Sequence, residues 1–424
     1  MTVTYIKSAK PHAPERQIEL RDQVTDILLA IEKGGEAEAL AYARKFDNWD
    51  GDVIVSDDEI KAAAARLSPS VREDIDFAHE NIRRFAEAQR ATLTDMEIEM
   101  APGFIAGQKS IPVLGAGCYA PGGRFSHVAS ALMTITTAKA AGVDFVAASS
   151  PPRGAQGISD EMAYAMNLAG ADRILRMGGV QAIASMAFGF FGMPPVDTLA
   201  GPGNAWVAEA KRQLFGRVGI DMVAGPTDSL ILADRTAHAE VVAWDMVGQM
   251  EHGADSPVWL VTDNAILAQD VVDMIPSLIT SLPEANAGSA KAAWDNLAEV
   301  VVCGSREEMA QMADRYAPEH LHVQAADLDW WLGRLKAYGS LFLGEETTVA
   351  FGDKASGPNH VLPTSGAARY TGGLSVHKFL KTVTWQRSSK EAAQRVAEVT
   401  ARISRLEGME AHARTADIRM SPRS

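Results

Sequence analysis

Residues 117–176 alternate short β-rich runs with helical runs: GCYA (117–120), VASALMTITTAKA (128–140), DFVAA (144–148), ISDEMAYAMNL (158–168) and RILR (173–176). Such alternation predicts parallel strands joined by crossover helices. The pattern starts again after Gly216, with strand-like runs at 220–223, 229–233, 258–261 and 300–302 and a helical run that ends near His252. We therefore predict two α/β units in tandem, each built on a parallel sheet.

Helical segments flank the two units. Apolar residues near the amino end recur at helical spacing and stop at Gly34-Gly35, and a second helix is expected over 69–90 with Ser68 as its cap. Residues 343–373 are Gly-rich and loop-like, and helical spacing returns over 390–406. The predicted division is an N-terminal helical segment (1–110) packing in part on the second unit, a first unit (111–219), a second unit (220–370) and a C-terminal helical tail (371–424).

Composition indicates a soluble enzyme. The chain has 424 residues, 47% of them hydrophobic, which is enough for more than one buried core. Its formal net charge of -14 argues against nucleic acid or an anionic membrane as a partner. It has no apolar run of about eighteen residues and no secretory signal, and two cysteines, Cys118 and Cys303, are too few for a disulfide framework. A cytoplasmic location is expected.

Four separated segments contain residues that could share one metal ion: QMEH (249–252), GD (352–353), NH (359–360) and EGMEAH (407–412). Gln249 and His252 stand three residues apart, so both can lie on one face of a helix. Imidazole and carboxylate ligands suit zinc, and a weaker amide ligand lets substrate compete for coordination. Spacing does not pair the other segments, and a single histidine is more often a surface or hydrogen-bonded core residue than a ligand.

Seven sequence blocks occur in the order known from one enzyme family. They are GPGN (201–204), AEAKR (208–212), IDMVAGP (220–226), QMEH (249–252), APEH (317–320), ASGPNHVLP (355–363) and EGMEAH (407–412). With these blocks the chain resembles the histidinol dehydrogenase family from about Ile18 to Arg419. The resemblance implies two related, incomplete Rossmann-like domains and a C-terminal tail that is exchanged in a homodimer.

The resemblance also implies a set of site residues. The implied zinc ligands are Gln249, His252, Asp353 and His412, and the implied acid/base pair is Glu319 and His320. The implied contacts of NAD are Tyr119, Gln181 and Asn204. The substrate-binding residues expected from the family pattern and from departures in it are Arg124, His127, Thr227, Gln249, His252, His320, Asp353, Glu407 and His412. Glu407 and His412 would reach the active site of the other subunit.

Three glycine-containing turns are candidates for contact with the dinucleotide: GAGCYAPGG (115–123), GGVQA (178–182) and GPGN (201–204). None has the G-x-G-x-x-G spacing, and each taken alone is explained by a tight turn. Each is expected at the carboxyl end of a strand and the start of a helix, where free N–H groups favour anions. Three such turns together favour a dinucleotide site.

Glu319 and His320 suit the oxidation that the resemblance implies. A primary alcohol loses hydride to NAD while a base takes its hydroxyl proton, and the aldehyde then adds water and loses a second hydride to give a carboxylate. Imidazole suits the first proton transfer, a carboxylate suits activation of water, and zinc would polarise the substrate oxygen. Without the surrounding blocks, residues 318–320 would instead be interpreted as a helix N-terminus.

Departures from the family pattern indicate the substrate. Arg124 and His127 follow the glycine turn where relatives carry small neutral residues, and a guanidinium can pair with an oxyanion. GPTDS (225–229) and Pro358 also depart from the pattern. Together with GLSVHKFLKTV (373–383), they resemble the sulfopropanediol dehydrogenase branch, which oxidises 2,3-dihydroxypropane-1-sulfonate to sulfolactate with two NAD. A small, anionic, hydroxylated substrate is therefore expected.

Two alternative functions stay open at this point. One is histidinol dehydrogenase itself, and the other is a catalytically idle relative that binds nucleotide or metal. Arg124 could also be a solvent-exposed cation or a ligand of the cofactor phosphate, and His127 could cap the following helix. The idle relative is disfavoured because Glu319, His320 and all four implied zinc ligands are present.

Overall fold

The structure, a computed structural model, describes residues 3–10, 18–122, 126–154 and 157–420. The strands are β1 (Val3–Lys7), β2 (Met96–Ala101), β3 (Phe104–Pro112), β4 (Gly115–Tyr119), β5 (Phe145–Ser150), β6 (Arg173–Arg176), β7 (Thr198–Ala200), β8 (Gly219–Ile220), β9 (Ser229–Ala233), β10 (Val258–Thr262), β11 (Glu299–Cys303), β12 (His320–Gln324), β13 (Ser340–Leu343) and β14 (Leu380–Ser388). The helices are α1 (Ile18–Asp47), α2 (Asp57–Arg66), α3 (Pro69–Ala91), α4 (Val128–Ala141), α5 (Asp160–Leu168), α6 (Gly179–Phe188), α7 (Ala205–Leu214), α8 (Ala239–Met250), α9 (Ala265–Thr280), α10 (Glu284–Asn296), α11 (Arg306–Tyr316), α12 (Leu328–Arg334), α13 (Val349–Lys354), α14 (Lys390–Leu406) and α15 (Glu410–Met420).

Two of the three sheets share one parallel strand order. In the first sheet, β5 and β6 lie on one side of β4, and β7 and β8 lie on the other. In the second sheet, β10 and β11 lie on one side of β9, and β12 and β13 lie on the other. The predicted α/β class with two Rossmann-like sheets is confirmed. The shared order shows a structural repeat that residue identity does not reveal.

The helices cover both sheets. Helix α4 is apolar on all sides because it is enclosed, with β4 and β5 on one side and α3 and α5 on others. Helix α1 packs on α6 and α7, whereas β1 leaves this unit and pairs antiparallel with β11 of the second sheet. Within the described ranges no helix is long and apolar enough to cross a membrane.

A third, antiparallel sheet joins the two ends of the chain. Strand β3 pairs with β14 along nine residues and with β2 on its other edge. After β14 the chain forms α14 and α15, which pack on each other. The helix predicted over 390–406 is confirmed by α14. The strands in the segments expected to be helical, 1–110 and 371–424, were not predicted.

Three local details refine the predictions. The first helix was predicted to stop at Gly34-Gly35; the backbone is non-helical at Gly35 (φ 64°), but a second helical stretch follows it to Asp47. The β-rich run predicted over 117–120 is confirmed by the buried strand β4, so the glycine-containing turn predicted from Gly115 onward begins inside this strand and not after it. Residues 318–320, for which a helix N-terminus was the alternative interpretation, do not begin a helix: α11 ends at Tyr316, Ala317 follows it in the left-handed conformation (φ 50°), and His320 begins β12.

Candidate active site

The candidate site lies where segments of the two α/β units meet. His360, in the segment after α13, connects them: its Nε2 lies 2.8 Å from Ser130 Oγ on α4, and its Nδ1 lies 2.8 Å from the carbonyl oxygen of Asp353. The neighbouring Asn359 donates to the carbonyl oxygen of Met133 on α4 at 3.1 Å. Both ring nitrogens of His360 are engaged, so this histidine is a support and not a metal ligand.

Glu319 and His320 stand at the amino edge of the second sheet. They are 6% and 3% exposed, and the left-handed end of α11 directs the chain straight into β12 at this point. Because β12 is a central strand with β9 and β13 on either side, its backbone is held by both neighbours. The fold therefore fixes the acid/base pair on a rigid, buried element.

Asp228, which the sequence did not single out, holds this pair in place. Its carboxylate accepts the N–H of Glu319 at 2.6 Å and the N–H of Ser365 at 2.7 Å, and its own N–H donates to Glu319 Oε2 at 3.3 Å. The preceding residue, the predicted substrate contact Thr227, is half-buried. Asp228 lies in the segment 225–229 that departs from the family pattern, which is the only sequence signal for it.

The imidazole of His320 is surrounded by oxygen atoms. Its Nδ1 lies 3.8 Å from Glu319 Oε2 and 3.5 Å from Ser229 Oγ, and its Nε2 lies 3.5 Å from Asp353 Oδ1. Nε2 is buried, and among the described residues no atom forms a hydrogen bond with it. When protonated, this nitrogen faces the carboxylate of Asp353; when deprotonated, it can accept a hydrogen bond from a substrate hydroxyl.

Burial and neighbouring charges shift the pKa values of these groups. Burial first, and then the charges of Asp228 and Asp353, raise the pKa of Glu319 to about 8 against the opposing effect of His320. Burial alone would lower the pKa of His320, but the carboxylates of Glu319 and Asp353 outweigh it and raise the pKa to about 9. Burial would raise the pKa of Asp353, but the neighbouring histidines, His320 first, hold it below its usual value. Such shifts are typical of sites that transfer protons.

Three of the four implied zinc ligands lie in this cleft. His252 Nε2 is 3.8 Å from Asp353 Oδ2, a separation that one ion with ligands at about 2.0–2.2 Å can bridge. Gln249, on the last turn of α8, accepts a hydrogen bond from Ser229 Oγ at 3.0 Å. Among the described residues, no three His, Cys, Asp or Glu side chains are grouped to hold a metal. His252, Asp353 and Gln249 therefore fit part of the coordination shell of a zinc ion.

His412 and Glu407 are exposed on the tail. Glu407 ends α14, and His412 lies in the first turn of α15. The same hairpin exposes the apolar residues Val396, Val399, Ile403 and Leu406. At spacings of three and four residues, these four side chains lie on one face of α14.

His127 is placed at the mouth of the site. It is the N-cap residue of α4, where its carbonyl oxygen accepts the N–H groups of Ser130 and Ala131, but its side chain makes no capping hydrogen bond. Burial, with the positive charges of His360, Lys354 and His252 as smaller contributions, lowers the pKa of His127 to about 4. His127 therefore belongs to the same group as the candidate metal ligands. Arg124, the other predicted contact, lies outside the described residues.

The predicted cofactor residues lie at the carboxyl edge of the first sheet. Tyr119 ends β4, and its hydroxyl accepts the N–H of Gly179 at 3.3 Å. Gln181, two residues further along α6, donates from its side-chain amide to Asp47 at 3.0 Å. Asn204 caps α7 by accepting the N–H groups of residues 206 and 207. The carboxyl edge of a doubly wound sheet is where such folds bind nucleotides.

The turn between β7 and α7 is held by a buried ion pair that the sequence did not indicate. Lys211 pairs with Asp221, donates to the carbonyl oxygen of Gly201 at 2.9 Å, and is almost fully buried. Asp221 accepts the N–H of Gly201 at 2.8 Å. Gly201 has φ 119°, and a β-carbon there would collide with the carbonyl oxygen of Tyr119. Glycine is therefore required where these two cofactor-side segments touch.

Comparison with known proteins shows the family of this chain. The family model for histidinol dehydrogenase matches residues 10–420. A histidinol dehydrogenase homolog of Ruegeria pomeroyi is 63% identical over 420 residues, which is 99% of this chain and 97% of that protein. The sulfopropanediol 3-dehydrogenase of the same organism is 60% identical over 421 residues, which is again 99% and 97%. The crystal structure of histidinol dehydrogenase from Elizabethkingia anophelis matches with a TM-score of 0.90 and 32% identity, over 97% of this chain and 94% of that one.

The fold and the site therefore define an NAD-dependent oxidoreductase that acts on alcohol and aldehyde groups. The chain belongs to the histidinol dehydrogenase family. Both predictions, of the family and of the enzyme class, are confirmed.

Proposed function

We propose that this enzyme is a zinc-dependent, four-electron NAD dehydrogenase that oxidises (R)-2,3-dihydroxypropane-1-sulfonate to sulfolactate. The observation that carries this proposal is the 60% identity, over nearly the whole chain, to a protein named sulfopropanediol 3-dehydrogenase. The solved histidinol dehydrogenase is only 32% identical over a similar span. An organosulfonate is therefore preferred to histidinol as the substrate.

The charges at the mouth of the site support an anionic substrate. Burial lowers the pKa of the His127 imidazole, and the positive charges of Lys354 and Arg153 contribute to this decrease. Cations that converge on a cleft raise the local concentration of anions. Histidinol carries an ammonium group, so the same field would oppose it.

Zinc would be held by Gln249, His252 and Asp353 of one chain and by His412 of the partner subunit. In this arrangement the exposed α14–α15 hairpin would reach the partner, and Glu407 would contact the partner's substrate. The partial donor set in one chain and the exposed apolar stripe of α14 support this homodimer with a shared site. When bound, zinc would act as a Lewis acid on the substrate oxygen.

His320 and Glu319 would divide the proton transfers between the two oxidations. Once deprotonated, the Nε2 atom of His320, which forms no hydrogen bond in the described structure and lies 3.5 Å from Asp353 Oδ1, would accept the proton of the substrate hydroxyl as hydride leaves for NAD. Glu319, once ionised, would accept a proton from the water that attacks the aldehyde. Tyr119, Gln181 and Asn204 would position the nicotinamide at the carboxyl edge of the first sheet.

A direct comparison of substrates tests the proposal. Zinc-loaded protein is offered 2,3-dihydroxypropane-1-sulfonate and histidinol in separate assays, and NADH formation is followed. We expect two NADH per sulfonate consumed and a much lower kcat/KM for histidinol. NADH from histidinol alone would assign the chain to the histidinol reaction, and no NADH from either would favour the idle relative.

A further inference from the structure

We propose that Asp47 is a positioning residue of the cofactor site. Its carboxylate fixes the side-chain amide of Gln181, so that Gln181 offers its carbonyl oxygen to a hydroxyl or N–H group of the bound dinucleotide. The inference rests on the proposed contact between Gln181 and NAD. It adds to that site a residue of α1, a helix that precedes both parallel sheets in the chain.

The carboxylate of Asp47 accepts two hydrogen bonds at the amino end of α6. Its Oδ2 accepts the N–H of Gly178 at 3.0 Å and the side-chain Nε2 of Gln181 at 3.0 Å. Asp47 is the last residue of α1, and α1 packs on α6. The carboxylate is therefore carried by a helix that is itself held against the helix it contacts.

Two glycines of the turn GGVQA (178–182) make room for this contact. A β-carbon on Gly178 would lie 2.7 Å from Asp47 Oδ1, and one on Gly179 would lie 3.1 Å from Gln181 Oε1. Gly179 also has φ 58°, a conformation that favours glycine. The carboxylate and the amide can thus lie directly against the backbone of the turn.

The carboxylate determines the orientation of the Gln181 amide. An ionised carboxylate only accepts hydrogen bonds, so the NH2 group points to Asp47 and the carbonyl oxygen is left for another donor. Burial raises the pKa of Asp47, and the two hydrogen bonds oppose this increase by favouring the carboxylate. Gln181 is 1% exposed, and among the described residues its Oε1 forms no hydrogen bond. An acceptor that is fixed but unpaired is suited to a donor of the cofactor.

A purely structural role for Asp47 would be to fasten α1 to α6. Loss of the carboxylate would then lower the melting temperature, and any effect on cofactor binding would be the same whether or not Gln181 is present. A positioning role predicts instead that the two residues act as a unit, because Asp47 affects the cofactor only through the Gln181 amide.

A double-mutant cycle distinguishes these roles. The Kd of NADH is measured from its fluorescence, without substrate, for the zinc-loaded parent, Asp47→Ala, Gln181→Ala and the double variant. Each single variant should weaken NADH binding roughly two- to tenfold, the effect of one hydrogen bond, and the double variant should bind no more weakly than Gln181→Ala. Asp47→Asn keeps an acceptor oxygen and should retain most of the affinity. Asp26→Ala, at an exposed position of α1, is the control and should bind NADH as the parent does. If Asp47→Ala does not fold, Asp47→Ser takes its place in the cycle.

A cofactor analogue identifies the donor that Gln181 meets. The reduced 3-acetylpyridine analogue has no carboxamide N–H group. With this analogue the effect of Gln181→Ala should disappear if the donor is the carboxamide and persist if the donor is a ribose hydroxyl.

The outcomes separate this inference from the proposed function. Additive losses in the cycle, or an unchanged Kd in Asp47→Ala, would overturn the positioning role and leave the proposed function intact. An unchanged Kd in Gln181→Ala would overturn the proposed contact of Gln181 with NAD and this inference with it. Because the titration contains no substrate, a parent that shows the expected cycle but does not oxidise the sulfonate would overturn the proposed substrate alone.

Discussion

At the residue scale, the acid/base pair depends on burial. Glu319 has an increased pKa because its carboxylate is enclosed beside two further carboxylates, those of Asp228 and Asp353. His320 has an increased pKa because the same carboxylates favour its charged form against the effect of burial. Neighbouring carboxylates thus contribute to the increased pKa of both Glu319 and His320, and each residue can be tested separately.

Removal of either base should affect the two oxidation steps differently. His320→Asn should slow the alcohol step by roughly 10²–10⁴-fold and the oxidation of supplied aldehyde much less, because only the alcohol requires a base for its hydroxyl proton. Glu319→Gln should show the reverse preference. Single-turnover NADH formation from each substrate measures both, with the exposed His377→Asn as a control. Equal losses on both substrates in each variant would remove this division of roles.

The increased pKa of Glu319 predicts a pH dependence of the aldehyde step. A carboxyl group accepts a proton from water only when it is ionised, and its ionised fraction grows as pH rises through a pKa of about 8. Aldehyde oxidation by the parent should therefore speed up as pH increases through this range. Glu319→Gln should lose that increase along with most of the rate. A rising limb of the same shape in Glu319→Gln would assign the titration to another group.

At the element scale, the side chain of Asp245 links three segments that carry site residues. Its carboxylate, on α8, accepts from Gln324 Nε2 on β12 at 2.6 Å and from Thr348 Oγ1 before α13 at 2.7 Å. His322 Nδ1 lies 3.4 Å from the same carboxylate. Gln249 follows on α8, His320 begins β12, and Asp353 lies on α13. One half-buried carboxylate thus links the three elements that carry candidate ligands and His320.

Replacement of Asp245 should loosen this alignment. Asp245→Ala removes the acceptor of the buried Gln324 amide and of the half-buried Thr348 hydroxyl, which costs about 1–3 kcal/mol of unfolding free energy. We expect a lower melting temperature and weaker zinc binding, measured by thermal melting and by metal competition. Asp270→Ala, at an exposed position of α9, is the matched control. Unchanged zinc affinity in a measurably destabilised Asp245→Ala would limit its role to stability.

At the scale of the whole molecule, the proposed site is completed by a second chain. His252→Ala and His412→Ala should each lower the zinc content and abolish turnover while leaving the fold of the monomer intact. Mixed subunits of the two inactive variants should regain part of the activity, since a heterodimer contains one site with neither substitution. Zinc content and NADH formation are measured after subunit exchange, and mixing two batches of His252→Ala is the control. Exchange without recovered activity would place the site within one chain.

Part of the fold could be predicted from the sequence because its signals are local. The alternation of β-rich and helical runs over 117–176 reflects which side chains must be buried in each element, so it predicted the parallel α/β sheets. The helix over 390–406 shows its apolar spacing within one segment. The sheet of β2, β3 and β14 was missed because β3 and β14 pair across most of the chain length, and only pairing distinguishes these half-exposed strands from loops.

The sequence by itself determined the residue types of the site and, through the order of its blocks, the family. It did not determine which of those residues meet. The tertiary structure brought His252 and Asp353 to one cleft. It placed both ring nitrogens of His360 within hydrogen-bond distance of a partner, and it placed the Asp228 carboxylate where it accepts the N–H of Glu319. It also left His412 and Glu407 exposed on the tail. The physical reason is that hydrogen bonds, burial and charge act between atoms a few ångströms apart, whereas these residues are separated by tens to hundreds of positions along the chain.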